Sequence, residues 1–241
     1  MNLKNWLLKE QFNPSIFGIL VNPFYFGRKS LYKNIKFKSG YITGRILDIG
    51  CGSKPYEKLF NTSQYIGIDV KSSGHYHENS RVDLFYDGKK IPFEENYFDS
   101  VVCFEVLEVI FDPDSFLNEI KRVLRPGGKA LFTVPFIWDE HEQPFDYARY
   151  SSFGLKHLFE RNGFSVKKND KYLTDLRLLS LLTNAYIYKI IKKIIPSSIS
   201  FPLILPFSFV VNITGLLLSL FPENKDMYFG NIILVEKANV Q

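Results

Sequence analysis

Short runs of apolar residues alternate with amphipathic segments through the middle of the chain. Short apolar runs bounded by turn residues are typical of buried strands, whereas apolar residues three and four positions apart indicate one face of a helix. Strands are predicted at residues 46–49, 65–70, 100–104 and 129–135, and residues 81–84 are predicted to be the end of a further strand or the loop after it. Strands separated by helices in this way indicate an α/β fold with a doubly wound, mostly parallel sheet.

Two helices of this region are marked by capping residues. Asp112 precedes Pro113, and aspartate caps free N–H groups while proline is tolerated at the first helical position. Residues 125–128, Arg-Pro-Gly-Gly, are expected to end this helix. A second helix is predicted to begin at Ser151 or Ser152. The predicted apolar faces are Phe116, Leu117, Ile120, Val123 and Leu124 in the first helix, and Leu155, Leu158 and Phe159 in the second.

The carboxyl-terminal part adds two predicted strands, at residues 164–168 and 228–237, separated by over 50 residues. A connection of that length without secondary structure is uncommon in a compact domain, so we predict a hydrophobic helical insertion before the last strand. Thr174 is predicted to cap a helix whose last turns carry Lys189, Lys192 and Lys193. The apolar residues that recur at helical spacing in it are Leu176, Leu179, Leu182, Tyr186, Ile190 and Ile194.

Residues 194–222 contain no charged side chain. Prolines leave 207–221 as the longest uninterrupted piece, roughly 22 Å of helix at 1.5 Å per residue, which is shorter than the ~30 Å hydrocarbon core of a bilayer. The two flanking strands are expected in one sheet, which excludes a single crossing. Three interpretations remain: a hairpin at the face of an anionic membrane with lysines at its edge, an extra apolar subdomain, and the interface of a homodimer.

The amino-terminal part has a similar uncharged segment, residues 11–27, which two prolines make too short and too interrupted to predict a membrane span. It is expected to pack on the domain or to join the same apolar patch. Residues 28–38 then predict a basic helix. The predicted organisation is an apolar and basic helical segment (1–40), a ligand-binding core (41–170), the hydrophobic insertion (171–226) and a terminal strand completing the core sheet (227–241).

Composition narrows the class of protein. The 241 residues are 46% hydrophobic and 23% charged, which suits one large α/β domain. The net charge of +5 favours a partner with an anionic surface, but it does not indicate nucleic acid in particular. The two cysteines, Cys51 and Cys103, support neither a disulfide framework nor a zinc site, and they fit a cytoplasmic setting. His75 and His77 lack an evident third ligand, so no metal is expected.

The sequence Asp48-Ile49-Gly50-Cys51-Gly52 is the main candidate for a ligand site. Glycine tolerates positive φ and has no Cβ, so a strand that ends in Gly-x-Gly can turn tightly and approach a ligand closely. The next strand ends in Asp69, 17 positions after Gly52, where dinucleotide-type folds place a carboxylate for ribose hydroxyls. A nicotinamide-binding fingerprint requires a third glycine where this chain has Pro55.

With the strands and the Pro-Gly-Gly turn that follow it, this pattern resembles motif I of the class I S-adenosylmethionine (SAM)-dependent methyltransferases, in a branch of the methyltransferase type 11 kind. The resemblance implies a seven-stranded Rossmann-like sheet whose last strand is antiparallel, and SAM as cofactor. It implies cofactor contacts by Asp48, Gly50, Cys51, Gly52, Asp69, Val70, Asp83, Leu84 and Glu105. Lys54 stands where many relatives have another glycine and is expected either to meet the cofactor's carboxylate or to point to solvent. Val109 stands where many relatives have histidine, which puts in doubt a catalytic base from that loop.

Residues 136–152 follow the fifth predicted strand and hold the candidate catalytic residues. His141 is the candidate base for an alcohol acceptor, with Asp146 to orient it and Arg149 to hold an anionic acceptor. The alternative is that His141 and Arg149 only stabilise the loop. A loop of this pattern resembles those of relatives linked to cell-surface glycan and lipid-linked sugar pathways. This favours methylation of a hydroxyl or similar nucleophile on a glycan or lipid-linked acceptor, at the inner face of a membrane.

Two other function classes remain. RNA or protein methylation is suggested only by the basic pI of about 9.0, and no RNA-binding module accompanies it, so nucleic acid is not the expected partner. A non-catalytic SAM-fold subunit that binds a membrane partner fits the valine at position 109. The intact Asp48, Gly50, Gly52 and Asp69 favour an enzyme over this subunit.

Overall fold

The computed structural model describes residues 3–71 and 80–238. Within these residues seven strands form one sheet in the order β3-β2-β1-β4-β5-β7-β6. The strands are β1 (Thr43–Ile49), β2 (Asn61–Val70), β3 (Leu84–Tyr86), β4 (Phe98–Phe104), β5 (Leu124–Pro135), β6 (Phe164–Tyr172) and β7 (Gly230–Lys237). The helices are α1 (Leu3–Phe12), α2 (Gly18–Val21), α3 (Tyr25–Lys38), α4 (Pro113–Val123), α5 (Ser152–Arg161), α6 (Arg177–Ile194) and α7 (Ser197–Leu218).

The sheet has the topology of a doubly wound fold. β1 pairs in parallel with both β2 and β4, so the strand order reverses at β1, and ligands bind at such a point outside the carboxyl ends of the strands. β7 runs antiparallel to β5 and is also a neighbour of β6. The predicted α/β class, seven strands and mostly parallel sheet are therefore confirmed.

Several predicted strand limits were wrong, and so was one placement. β1 begins at Thr43 rather than residue 46, β6 ends at Tyr172 rather than 168, and β7 begins at Gly230 rather than 228. β2 begins at Asn61 rather than residue 65, β4 at Phe98 rather than 100, and β5 at Leu124 rather than 129. In β4 and β5 a register shift lies between the pairs Phe98↔Leu124 and Ser100↔Lys129, so the Pro-Gly-Gly segment forms an irregularity inside β5. Residues 81–84 lead into β3 rather than out of it, because the ladder between β2 and β3 begins at the pair Ile68↔Leu84.

The two central helices begin as their caps predict. The Asp112 carboxylate accepts a hydrogen bond from the Ser115 backbone N–H at 3.1 Å, and the Ser151 hydroxyl accepts one from the Gly154 N–H at 3.2 Å. Each cap satisfies an N–H group that the first helical turn leaves without a partner. The predicted residues of both apolar faces are buried, although Leu124 belongs to β5 rather than to α4.

The chain divides into two compact units. The first, which we call the sheet unit, contains residues 35–171 and 230–241; the second, the helical unit, contains residues 1–34 and 172–229. In the helical unit α6 begins at Arg177 without a side-chain cap, and the Thr174 hydroxyl instead donates to Glu223 at 2.7 Å, so the predicted Thr174 cap was wrong.

Within the described part of the chain, no helix combines the length and the apolarity that spanning a bilayer requires.

Candidate functional site

The turn after β1 depends on two glycines in the left-handed region. Gly50 has a φ of +69°, and a Cβ added there would lie 2.3 Å from Cγ2 of Val106. The N–H groups of Gly50 and Cys51 both donate to the Ile68 carbonyl, at 2.9 and 3.2 Å, which holds the turn against β2. Gly52 has a φ of +48°, and a Cβ there would meet nothing within 4 Å, so the space beside it is open to a ligand.

Asp69 lies beside this turn at the end of β2. Its Oδ2 accepts a hydrogen bond from the Gly52 N–H at 3.1 Å, and its Oδ1 accepts one from the Val70 N–H at 2.8 Å. Because each carboxylate oxygen has more than one acceptor direction, both oxygens retain the capacity to accept hydroxyl groups. The structure therefore brings the predicted residues Gly50, Cys51, Gly52, Asp69 and Val70 together.

Lys54 does not point to solvent, which was one of the two expectations for it. Only 6% of its surface is exposed, and its Nζ pairs with the carboxylate of Asp83, which also accepts a hydrogen bond from the Gly67 N–H at 2.7 Å. Burial would raise the pKa of Asp83, but the Gly67 N–H and Lys54 outweigh it and lower the pKa. This pair joins the loop after β1 to the segment before β3, so in the absence of a ligand Asp83 is engaged within the protein.

Asp48 lies beneath the turn. It is 4% exposed, and its Oδ2 accepts a hydrogen bond from the Tyr65 hydroxyl at 2.8 Å. Burial raises the pKa of Asp48 from 3.8 to about 7, against the opposing effects of the Tyr65 hydroxyl and Lys54. Nothing in the sequence motif pointed to Tyr65, whose side chain reaches Asp48 only because β1 and β2 are adjacent.

Replacing Asp48 with asparagine should flatten the pH dependence of stability in the ligand-free protein. The folded-state pKa is raised, so the native state binds the extra proton between pH 4 and 7, and this group's contribution to stability decreases as the pH rises through that window. Asparagine does not titrate, so relative to wild type Asp48→Asn should gain about 2.6 kcal/mol between pH 5 and pH 8, at about 1.36 kcal/mol per pKa unit. Urea unfolding at both pH values measures this, and equal pH dependence in the two proteins would contradict the assignment.

The other predicted cofactor residues lie at the carboxyl ends of neighbouring strands or at the start of β3. Glu105 directly follows β4 with a φ of +55°, and its N–H donates to the Thr133 carbonyl at 3.0 Å. Leu84 is 41% exposed at the start of β3. An open glycine turn with a carboxylate beside it suits a ligand that carries ribose hydroxyls, and we conclude that these residues fit SAM.

A second cluster surrounds His141 in the loop after β5. Its Nδ1 lies 3.2 Å from Asp146 Oδ2, which also accepts the His141 backbone N–H at 2.9 Å. On the other side of the ring, Nε2 lies 3.5 Å from Oε1 of Glu108. Burial alone would lower the pKa of His141, but the nearby Glu108 carboxylate, assisted by the charge of Asp146, outweighs burial and raises it. His141 thus lies between two carboxylates.

Glu108 is the site residue that sequence reasoning missed. It is completely buried in the short turn after β4, and within the described residues neither carboxylate oxygen accepts a conventional hydrogen bond. Burial raises its pKa to about 7, with His141 opposing and Glu105 adding to the rise. The Glu108 carbonyl accepts the N–H groups of Tyr147 and Ala148 at 3.0 and 3.1 Å, which ties the His141 loop to the strand end that carries Glu105.

Arg149 holds the loop itself. Both terminal nitrogens donate to the Asp146 carboxylate, and they also donate to the carbonyls of Ala148 and Asp139 at 2.8 Å each. Burial would raise the pKa of Asp146, but Arg149 and the His141 N–H lower it, so Asp146 stays ionised. The geometry corresponds to the loop-stabilising alternative for Arg149 rather than to a grip on an anionic acceptor.

Metal binding has no support in the described part of the chain. His75 and His77 lie outside the described residues. Among residues 3–71 and 80–238, no three His, Cys, Asp or Glu side chains are placed to hold a metal ion.

The segment that contains most of this site matches a known protein family. Residues 47–132, which contain the glycine turn, Asp69 and Glu108, match the family model described as a methyltransferase domain. This match, over about a third of the chain, supports a class I SAM-dependent methyltransferase. The resemblance inferred from motif I is thereby confirmed, as is SAM as the cofactor of the class.

Curated relatives of this chain include methyltransferases. It is 32% identical over 99 residues to a fatty-acid O-methyltransferase of Mycolicibacterium smegmatis, an alignment that covers 37% of this chain and 36% of the relative. It is 30% identical over 134 residues to a probable SAM-dependent methyltransferase of the same organism, covering 51% of this chain and 52% of the relative. The chain thus matches between about a third and a half of the length of these two relatives.

Solved structures agree on the fold. Phosphoethanolamine N-methyltransferase 2 of Haemonchus contortus, determined with SAM bound, superimposes with a TM-score of 0.56 at 17% identity. The superposition covers 96% of this chain and 59% of that chain. At this identity the likeness concerns the fold alone.

Proposed function

We propose that this protein transfers a methyl group from SAM to an oxygen nucleophile, with His141 as the group that receives the proton of the acceptor. The observation that carries the proposal is the buried Glu108 carboxylate 3.5 Å from the His141 ring. Bound SAM supplies an electrophilic methyl group on a sulfonium, for which alignment of the acceptor is the main requirement. A hydroxyl acceptor must also lose a proton, and a nearby base accelerates that step.

The side chains of His141 and Glu108 differ in solvent exposure, and we assign them different roles for this reason. The His141 side chain is 24% exposed, whereas that of Glu108 is fully buried. His141 therefore meets the acceptor and takes its proton, while Glu108 stabilises the resulting imidazolium without contacting the acceptor. Asp146, held ionised by Arg149, orients the opposite ring nitrogen. In this arrangement His141 is the catalytic residue, and Glu108, Asp146 and Arg149 are positioning residues.

The acceptor class is inferred from three observations. The first is the candidate base His141, which suits an acceptor oxygen that is neutral or weakly acidic. In agreement with this, one relative is a fatty-acid O-methyltransferase by its name. The loop resembles those of relatives linked to glycan and lipid-linked sugar pathways. Two apolar helices, α6 and α7, stand between β6 and β7, and we regard them as an addition to the methyltransferase core that suits an amphiphilic acceptor. A hydroxyl of a glycan or lipid-linked acceptor satisfies all three.

Replacing Glu108 with glutamine should move the pH–rate profile. The neutral imidazole is the active base, so the rate rises with pH through the His141 pKa, which Glu108 raises. In Glu108→Gln that pKa decreases, and the acid limb of kcat/KM should move to lower pH. A loss of rate with an unshifted limb would show that Glu108 only supports the fold.

The acceptor proposal is tested with methyl-labelled SAM supplied in parallel to a lipid extract, soluble polysaccharide and RNA. We expect label in the lipid extract or the polysaccharide, and none when Asp69→Ala replaces the wild type. Label in RNA alone would contradict the acceptor class. No label in any fraction, from a folded protein that binds SAM, would favour the non-catalytic alternative.

A further inference from the structure

The distribution of polar and apolar side chains on α7 is the reverse of that on a surface helix of a water-soluble protein. Among the α7 residues whose burial the structure describes, the buried ones are Ser200, Ile204, Ser208, Asn212 and Gly215, and of these only Ile204 has a large apolar side chain. The exposed positions are largely apolar: Ile199, Leu203, Phe207, Phe209, Val210, Ile213, Leu216 and Leu217. In water an amphipathic helix buries its apolar stripe and exposes its polar one.

The contacts that α7 makes inside the helical unit explain this pattern. The Asn212 side-chain amide donates to the carbonyls of Ile19 and Asn22, at 2.9 and 3.2 Å, and its oxygen accepts from the Asn184 amide at 3.0 Å. At Gly215 an added Cβ would lie 2.4 Å from the Phe26 ring and 2.7 Å from the Ser180 hydroxyl. Small residues at close helix contacts, with polar side chains bonded between helices, are typical of helices that pack together in lipid.

Exposed apolar side chains continue on the neighbouring elements of this unit. On α6 four residues of the predicted apolar stripe are exposed: Leu179, Ile190, Tyr186 at 68% and Ile194 at 73%. Beside α2, Ile16 and Phe17 are 66% and 60% exposed. The contact pairs Asn184–Asn212 and Ser180–Gly215 show that α6 and α7 run antiparallel. We refer to the exposed apolar residues of these two helices as the outer face.

The charges around the outer face indicate which partner covers it. Residues 194–222 carry no charge, whereas Lys189, Lys192 and Lys193 are exposed in the last turns of α6. An apolar face with lysines at its edge is complementary to a bilayer with anionic headgroups. A second copy of the chain would bring the same three lysines to a symmetric contact, where like charges oppose one another.

We propose that the outer face of α6 and α7 docks the protein on the surface of an anionic lipid bilayer. The helices lie in the interfacial layer rather than across it, with the apolar side chains toward the acyl chains and the lysines at the headgroups. This docking does not depend on the proposed methyl transfer, because it uses residues of the helical unit alone.

Vesicle sedimentation with the full chain tests the docking. We expect the wild type to pellet with vesicles of phosphatidylcholine and phosphatidylglycerol, and more weakly with phosphatidylcholine alone. Val210→Asp/Leu217→Asp, at positions 62% and 63% exposed, should weaken binding at least tenfold without unfolding the protein. The matched control is Phe153→Asp on α5, 81% exposed in the sheet unit, which should bind as the wild type does.

The lysines are tested in the same assay. Changing Lys189, Lys192 and Lys193 to glutamate should weaken binding at least tenfold, specifically to anionic vesicles and most strongly at low salt. Glutamates at Lys58, Lys89 and Lys90, which are exposed in the sheet unit, are the charge-matched control. The proposal is overturned if the wild type stays in the supernatant. It is also overturned if the Val210→Asp/Leu217→Asp variant binds vesicles as strongly as the wild type does. A stable dimer by light scattering that this double variant dissociates also overturns it and assigns the outer face to a second copy.

Discussion

Replacing His141 with alanine should lower methyl transfer about a hundredfold or more and leave cofactor affinity nearly unchanged. His141 takes the acceptor's proton in our account, and no hydrogen bond connects it to the glycine turn or to Asp69 among the contacts of the described residues. Single-turnover rates with the acceptor found by labelling measure the first effect, and calorimetry with S-adenosylhomocysteine measures the second.

The control for this variant is His157→Ala, which removes an exposed histidine of α5 in the same unit. It should keep the wild-type rate. If His141→Ala also keeps the full rate on the true acceptor, then His141 has only a structural role and the base assignment is wrong. A loss of both rate and cofactor affinity would instead indicate that the whole loop collapses without the imidazole.

Replacing Asp69 with alanine should weaken the binding of SAM and of S-adenosylhomocysteine by roughly tenfold to a hundredfold. The Asp69 carboxylate stands beside the open space at Gly52, and each hydrogen bond that it would accept from a ribose hydroxyl is worth on the order of 1.5–3 kcal/mol. The substitution also removes the acceptor of the Gly52 N–H and so loosens the turn itself. Calorimetric titration of both ligands measures the change.

The control for Asp69 is Asp226→Ala, an exposed aspartate of the helical unit. This substitution should leave both affinities unchanged. Wild-type affinity in a correctly folded Asp69→Ala protein would remove Asp69 from the cofactor site. The remaining candidates at that edge of the sheet would then be Asp83 and Glu105.

The sheet could be predicted because its central strands are continuous apolar runs. β1 and β4 are buried on both faces, so the sequence marks them without any tertiary information. The start of β2 was missed because residues 61–64 are polar and mostly exposed, yet they pair with β1. Strand pairing of that kind leaves no trace in the hydrophobic pattern.

The site was predicted where it is local in sequence and missed where it is not. Asp146 and Arg149 lie within eight residues of His141, and their proximity follows from one short loop. Glu108 reaches His141 only because the ends of β4 and β5 are adjacent, and Lys54 reaches Asp83 in the same way across β1 and β2. Contacts between neighbouring strand ends require a register that a single sequence does not specify.

The helical unit shows a different limit. Periodicity located the apolar stripe of α6, but it did not indicate that this stripe faces outward. The usual assumption that apolar residues face the protein interior fails when polar residues such as Asn184 and Asn212 form the contact between helices. Only the three-dimensional packing reveals which side of the helix is covered.

Titrating the folded wild-type chain with S-adenosylhomocysteine in a calorimeter shows whether the carboxyl ends of β1 and β2 bind SAM. We expect saturable binding of one molecule per chain. Absence of binding, by protein whose circular dichroism shows the native fold, would contradict it.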